Sequence, residues 1–186
     1  MNKKRTTLNF DKHILETIEQ EGVLIHHLRL PNSFYDSFTF INTNGILAVT
    51  GDYNNWIFCR EFHPSAKGYV SDSYWAEKLR ISSEQQSHEF DSKGTINEIK
   101  EMLLENEYSD EEKEYLEECM DNAQEHELDY TYFAYRELPK KWDTECVPFV
   151  KKIKPQLLYV FDAFDEICNR LKIKETNETN KIKIEG

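Results

Sequence analysis

The sequence predicts an α+β fold: a four-stranded antiparallel sheet packed by helices, followed by a helical, acidic C-terminal half. Three observations carry this. Two β-rich runs, Ile46–Thr50 and Trp56–Phe62, are separated by Gly51, Asp52, Asn54 and Asn55, residues that favour turns. Ser109 and Glu112 form the two ends of a helix capping box. Leu157, Phe161, Phe164, Cys168 and Leu171 recur at intervals of 4, 3, 4 and 3, the stripe of an amphipathic helix.

Taken in order, residues 1–10 read as a loose, basic lead-in. Asp11 caps a short helix through Glu21, with Ile14, Leu15 and Ile18 on one face and Gly22 as its stop. Val23–Leu30, Asp36–Asn42, Ile46–Thr50 and Trp56–Phe62 are the four strands, and Asn44-Gly45 marks a hairpin turn. Short links between them imply a meander. Asp72–Ile81 reads as a helix, Ser82–Asp91 as loop, and Lys93–Glu107 as a helix with Ile96, Ile99, Met102 and Leu103 in register. The capping box opens a helix with Tyr115, Leu116, Cys119, Met120 and Ala123 on one side, and Leu128–Leu138 makes another. Pro155 suits a first helical turn, and Pro155–Leu171 and the helix after Ser71 are expected to cover the sheet. The expected divisions are a sheet region at 1–92, a helical acidic region at 93–172 packing on the sheet, and a flexible tail at 173–186.

Aromatic residues make up 13% of the 186, which argues against disorder. No apolar run approaches the roughly 18 residues that span a bilayer, and no signal-like segment follows the basic start, so a cytosolic location is expected. The four cysteines form no C-x-x-C pair and read as buried, reduced thiols. No phosphate-cradling glycine loop or nucleophile-elbow serine occurs, and no cofactor is implied. The net charge of −12 argues against direct DNA binding, which requires cations to displace counterions.

Two sets of residues carry candidate chemistry. His27 and His63, with Arg60 and Asp52, have the side chains for metal-independent RNA cleavage. One imidazole would take the 2′-hydroxyl proton, the other would protonate the leaving oxygen, and the cation would steady the phosphorane. His26 lies on the opposite, apolar strand face and reads as a core histidine. A metal site from His63, Asp52 and Glu61 matches no ligand motif. A nucleotide-signal sponge is a further alternative, with Trp56, Tyr74 and Trp75 stacking on a base and Arg29, Arg60, Lys78 and Arg80 meeting phosphates. The second set is acidic. Thirteen acids and two bases fall between Glu105 and Glu137, so nearly the whole excess charge lies in 33 residues. Glu114, Glu117, Glu118, Asp121 and Glu125 share one helix face there and suit a basic groove on a partner protein.

Several short stretches resemble a family of small phage and prophage proteins. They are His27-x-Arg29, Asn44-Gly45-x-Leu47, Gly51-Asp52-x-x-x-Trp56-x-Phe58-x-Arg60 and Tyr74-Trp75-x-Glu77-Lys78-Leu79. The family pattern is H-x-R, P-G-x-L, G-D-x-x-x-[YW]-x-F-x-R and Y-W-x-E-K-L, with Asn44 here in place of the proline. The resemblance covers about residues 23–80 and leaves the acidic segment outside. It implies a mobile-element origin and, by association, an anti-defence role. The partner expected is a host defence protein with a basic nucleic-acid-binding groove, such as a CRISPR effector or a restriction enzyme, inhibited through the acidic surface.

Overall fold

The computed structural model describes residues 4–33, 35–64, 70–82 and 87–185, with side chains as far as 174. The chain divides into two units, Met1–Ser87 with Ile153–Gly186, and His88–Lys152. The first is built on an antiparallel sheet of six strands in sequential order: β1 (Ile14–Gln20), β2 (Val23–Arg29), β3 (Phe38–Thr43), β4 (Ile46–Gly51), β5 (Trp56–Phe58) and β6 (Leu79–Ser82). The sheet therefore has six strands rather than four. Both additions lie where the sequence suggested helix.

β1 occupies the segment expected to be a helix from Asp11 to Glu21. Glu21 and Gly22 both have positive φ, 48° and 80°, as a two-residue type I′ hairpin turn requires. Gly22 is thus a turn residue and not a helix stop. The β-branched Ile14, Thr17 and Ile18 then pair with Arg29, His26 and Ile25. Asn44 and Gly45, at 49° and 78°, make the same turn between β3 and β4, as their dipeptide predicts.

A helix, α1, spans Asp72–Lys78, capped by the Ser71 hydroxyl, and stops short of Ile81. Leu79 is already extended, and its segment pairs with β5, Ile81 lying opposite Ile57. Helical spacing in the sequence cannot register that β5 would otherwise be an open edge. β5 itself ends at Phe58, because the chain bends at Cys59 and Arg60. Phe62 still reaches the core: the Asn42 side chain accepts from its N–H at 2.9 Å and donates to its C=O at 2.9 Å, standing in for a strand partner.

The sheet's inner face and the C-terminal helix α5 (Pro155–Glu185) enclose the core. Leu28, Phe38, Phe40, Leu47, Trp56 and Phe58 meet Leu157, Phe161, Phe164 and Ile167, with Trp75 from α1 stacked on Phe62 at 3.8 Å between ring centroids. Truncating one of these rings to alanine costs about 3–5 kcal/mol. The helix backbone continues to Glu185 rather than giving way to a loose tail at 173. Its lysine- and glutamate-containing end extends a helix already nucleated by packing, and extension costs little. The N-terminal segment is not loose either. Arg5 and Thr6 donate their backbone N–H groups to Asp162 of α5, and the Arg5 guanidinium joins Asp72, Asp162 and Asp165.

The second unit holds three helices: α2 (Ser92–Glu105), α3 (Asp110–Glu125) and α4 (Glu127–Arg136). Two short strands, β7 (His88–Phe90) in the stretch expected as loop and β8 (Lys151–Ile153), pair with each other. The Ser109–Glu112 capping box is formed, and Glu112 also accepts from the Trp142 indole at 3.0 Å. Ile99, Tyr115, Leu116, Cys119, Ala123, Tyr130 and Ala134 make a separate core. Among the described residues no helix is long and apolar enough to cross a membrane.

Candidate functional site

The four residues considered for acid–base chemistry are not brought together. His27 points to the outer face of β2, with Nδ1 4.0 Å from Glu16, which also binds Arg29 at 2.8 Å. Asp52 lies at the far end of β4. It accepts from the Ser37 N–H at 2.9 Å and donates its own N–H to the Ser37 C=O at 3.3 Å. Gly51 before it has φ +146°, and a Cβ there would sit 2.0 Å from the Ser37 carbonyl oxygen. The Gly-Asp pair therefore serves a close backbone approach. His63 lies at the opposite end of the same strands. Its Nε2 donates to Glu61 at 2.6 Å, and Glu61 accepts from the Gly45 N–H in the β3–β4 turn at 2.8 Å. The Gly45 N–H first, then the His63 ring, hold the Glu61 carboxyl below its ordinary range. The six residues of β4 place roughly 20 Å between Asp52 and this turn. Asp52 is thereby also removed from a metal site with Glu61 and His63, and among the described residues no three His, Cys, Asp or Glu side chains are placed to hold an ion.

Arg60 is exposed and lies over Tyr74, 5.0 Å from the ring centroid, donating to the Tyr74 hydroxyl. Lys78 approaches the same ring to 4.9 Å and pairs with Glu77 at 2.5 Å. The motif arginine is thus neither a strand-face residue nor a buried ion pair, because the bend after Phe58 turns it outward. Trp56 and Trp75 are 0% and 1% exposed, so neither is free to stack on a nucleotide base. His26 is buried, with Nδ1 3.0 Å from the Thr17 hydroxyl and no partner at Nε2. Burial, and secondarily the charge of His63, push its pKa down, so the ring is held neutral. The cysteines divide: Cys119 is buried and Cys168 half-buried, but Cys59 and Cys146 are exposed, against the expectation of four buried thiols.

A cavity of about 220 Å³ lies between the N-terminal segment and α5, bordered by Phe10, Asp11, Asp162, Asp165 and Asn169. Asp162 accepts from Arg5 and Thr6, and one oxygen of Asp165 accepts from Arg5 at 2.7 Å, so both carboxylates help hold the N-terminal segment.

The acidic residues are arranged otherwise. Glu114, Glu117, Glu118, Asp121 and Glu125 line one face of α3, all exposed, while Tyr115, Leu116, Cys119 and Ala123 are buried opposite. Among the described residues none of the five carboxylates has an ion-pair or hydrogen-bond partner. They extend over roughly 16 Å, about one charge per 4 Å, close to the spacing of about 3.4 Å along one strand of B-DNA. Three residues beyond Glu125, α4 begins a second exposed row: Leu128, Tyr132 and Tyr135 are 72%, 63% and 45% exposed. Their spacing of 4 and 3 puts them on one helix face, and Arg136 lies over the Tyr132 ring at 5.2 Å. The sequence sets Tyr108, Tyr130, Tyr132, Phe133 and Tyr135 beside the acids as aromatics that suit an interface or the core, and of these the structure exposes Tyr132 and Tyr135 and buries Tyr130. The signal was present in the spacing, since Tyr130 and Ala134 fill the buried side of the same helix.

No family model, curated protein or solved structure matches this chain.

Proposed function

We propose that the chain is a binding protein whose acidic helical unit occupies a basic, nucleic-acid-binding groove on a partner protein and so keeps nucleic acid out. The observation that carries this reading is the α3 face: five exposed carboxylates in line, none neutralised within the chain among the described residues. Carboxylates that stabilised the fold would be paired or capped, as Glu112 is. The exposed tyrosines of α4 add what an interface needs beyond charge, large apolar area with a polar tip. Following the resemblance over residues 23–80, the partner class proposed is a bacterial defence nuclease or CRISPR effector.

The test compares the parent with a variant carrying Glu114→Lys, Glu117→Lys, Glu118→Lys and Asp121→Lys. Each is immobilised and offered nuclease-treated bacterial lysate. A partner retained by the parent is then displaced by DNA or RNA oligonucleotide and titrated against salt. Parent binding should fall by about 100-fold or more between 0.05 and 0.5 M salt, as the screening length shrinks to a few Å. The variant should lose most of its association rate while unfolding at nearly the parent's temperature, because exposed charges add little stability. Equal binding by the variant, with the same salt dependence, would remove the acidic face from the mechanism.

A further inference from the structure

Both helices of the first unit contribute to the core on the inner face of its sheet, and the outer face carries an apolar row across all six strands. In register, from edge to edge, it runs Ile18, Ile25, Ile41, Ala48, Ile57, Ile81. The two ends are the most open, Ile18 at 54% and Ile81 at 62% exposed. Thr39, Thr43 and Thr50 flank the row, and the nearest opposite charges, Glu16 and Arg29, cancel in a 2.8 Å ion pair. On a chain of net charge −12 this row carries no charge of its own, so a second copy meets little repulsion there.

We infer that this face is a self-association surface, where two copies stack face to face about a twofold axis parallel to the strands. That operation reverses the row. Ile18 of one copy then lies over Ile81 of the other, and Ile25 over Ile57. Ile41 meets Ala48, where the small side chain leaves room for the large one. A twofold along the row itself would instead set Ala48 over Ala48 and leave a gap, which packing disfavours. Five inter-strand spacings give a length of about 24 Å, and one flanking residue on each side gives a width of about 14 Å. Two such faces bury roughly 700 Å² in projection, below the 1,200 Å² or more of stable complexes, so the dimer exchanges rapidly and forms with rising concentration. This surface shares no residue with the acidic helical face, and the inference stands or falls without it.

Sedimentation equilibrium of the full chain, from micromolar to millimolar, should show the mass rising from 22.2 kDa towards twice that value. Ile41→Ala and Ala48→Ile should each weaken association by about tenfold or more, one by removing the knob and the other by filling its hole. The double variant, which exchanges the two, should recover it. A second measurement does not rely on core-like substitutions. In a Cys59→Ser, Cys146→Ser background, an Ile18→Cys variant mixed with an Ile81→Cys variant should be joined by a short bis-maleimide, whereas Ile18→Cys alone should not be. A constant monomer mass at millimolar concentration overturns the proposal. So does a dimer insensitive to Ile41 and Ala48, or one cross-linked as readily through Ile18→Cys alone.

Discussion

Arg5 offers the sharpest test of how the sheet unit is held. Its Nε lies 2.8 and 2.9 Å from the two oxygens of Asp72, and Nη2 lies 2.6 Å from the same carboxylate. Nη1 is 2.7 Å from Asp165 and 3.3 Å from Asp162. Burial opposes the charge on the guanidinium, but hydrogen bonds to Asp72 and Asp165 and the charges of those carboxylates outweigh it and raise its pKa further. One side chain thus ties the N-terminal segment to α1 and to α5. Arg5→Ala leaves three neighbouring carboxylates without their counter-charge. Losing one partner of a buried pair costs about 3–5 kcal/mol. The Arg5 side chain is 10% exposed and that of Asp162 5%, but Asp165 at 21% and Asp72 at 31% are partly screened, so the low end applies. A loss of about 3 kcal/mol is expected. Arg5→Lys, which keeps the charge but loses the planar fork, should lose about 1–2 kcal/mol. Urea unfolding followed by tryptophan fluorescence measures this, in a Trp142→Phe background. The remaining indoles, Trp56 and Trp75, both belong to the sheet unit's core. Adding Asp165→Asn should reduce the cost of Arg5→Ala by about 1 kcal/mol or more, since one stranded charge is gone. An Arg5→Ala variant within about 0.5 kcal/mol of the parent, or strict additivity with Asp165→Asn, would refute the clamp.

Three further outcomes are expected. Gly51→Ala should destabilise the sheet unit by at least about 2 kcal/mol in the same assay, since a Cβ 2.0 Å from the Ser37 oxygen must push two backbones apart at a φ that side chains rarely adopt. His26 has its folded pKa depressed, so the unfolded chain binds more protons below the ordinary 6.5. Unfolding free energy should therefore fall as pH drops below that value, and His26→Gln should flatten the dependence. Burial pushes the Cys119 and Cys168 thiols up to about 11. In a disulfide-exchange assay at neutral pH, Cys59 and Cys146 should react in the folded protein, and Cys119 and Cys168 only on unfolding. The same two raised values imply stability that is complete below pH 9 and is lost as pH rises through about 11, measurable as an alkaline fall in melting temperature.

What the sequence by itself determined were the features whose physics is local. Asn44-Gly45 demands a type I′ turn wherever it stands between two β-rich runs. Ser109 and Glu112 cap one another across a single turn. Leu157, Phe161 and Phe164 share a helix face by geometry alone, and the acids of α3 do so too. The tertiary structure decided whatever depends on a neighbour distant in sequence. The Ile14–Gln20 segment has an apolar spacing that serves helix or strand, and the pairing of Thr17 with His26 and Ile18 with Ile25 settles it as strand. Leu79–Ser82 leaves its helix because β5 presents an unpaired edge. Arg5, which reads as one more charge in a basic lead-in, acquires its role only when α1 and α5 bring Asp72, Asp162 and Asp165 to it, 67 to 160 residues along the chain. The candidate site divides in the same way. The acidic row was legible because one helix holds it. The separation of His27, Asp52, Arg60 and His63 was not, because strand ends and bends set their places, and a linear chain does not record which ends of a sheet meet.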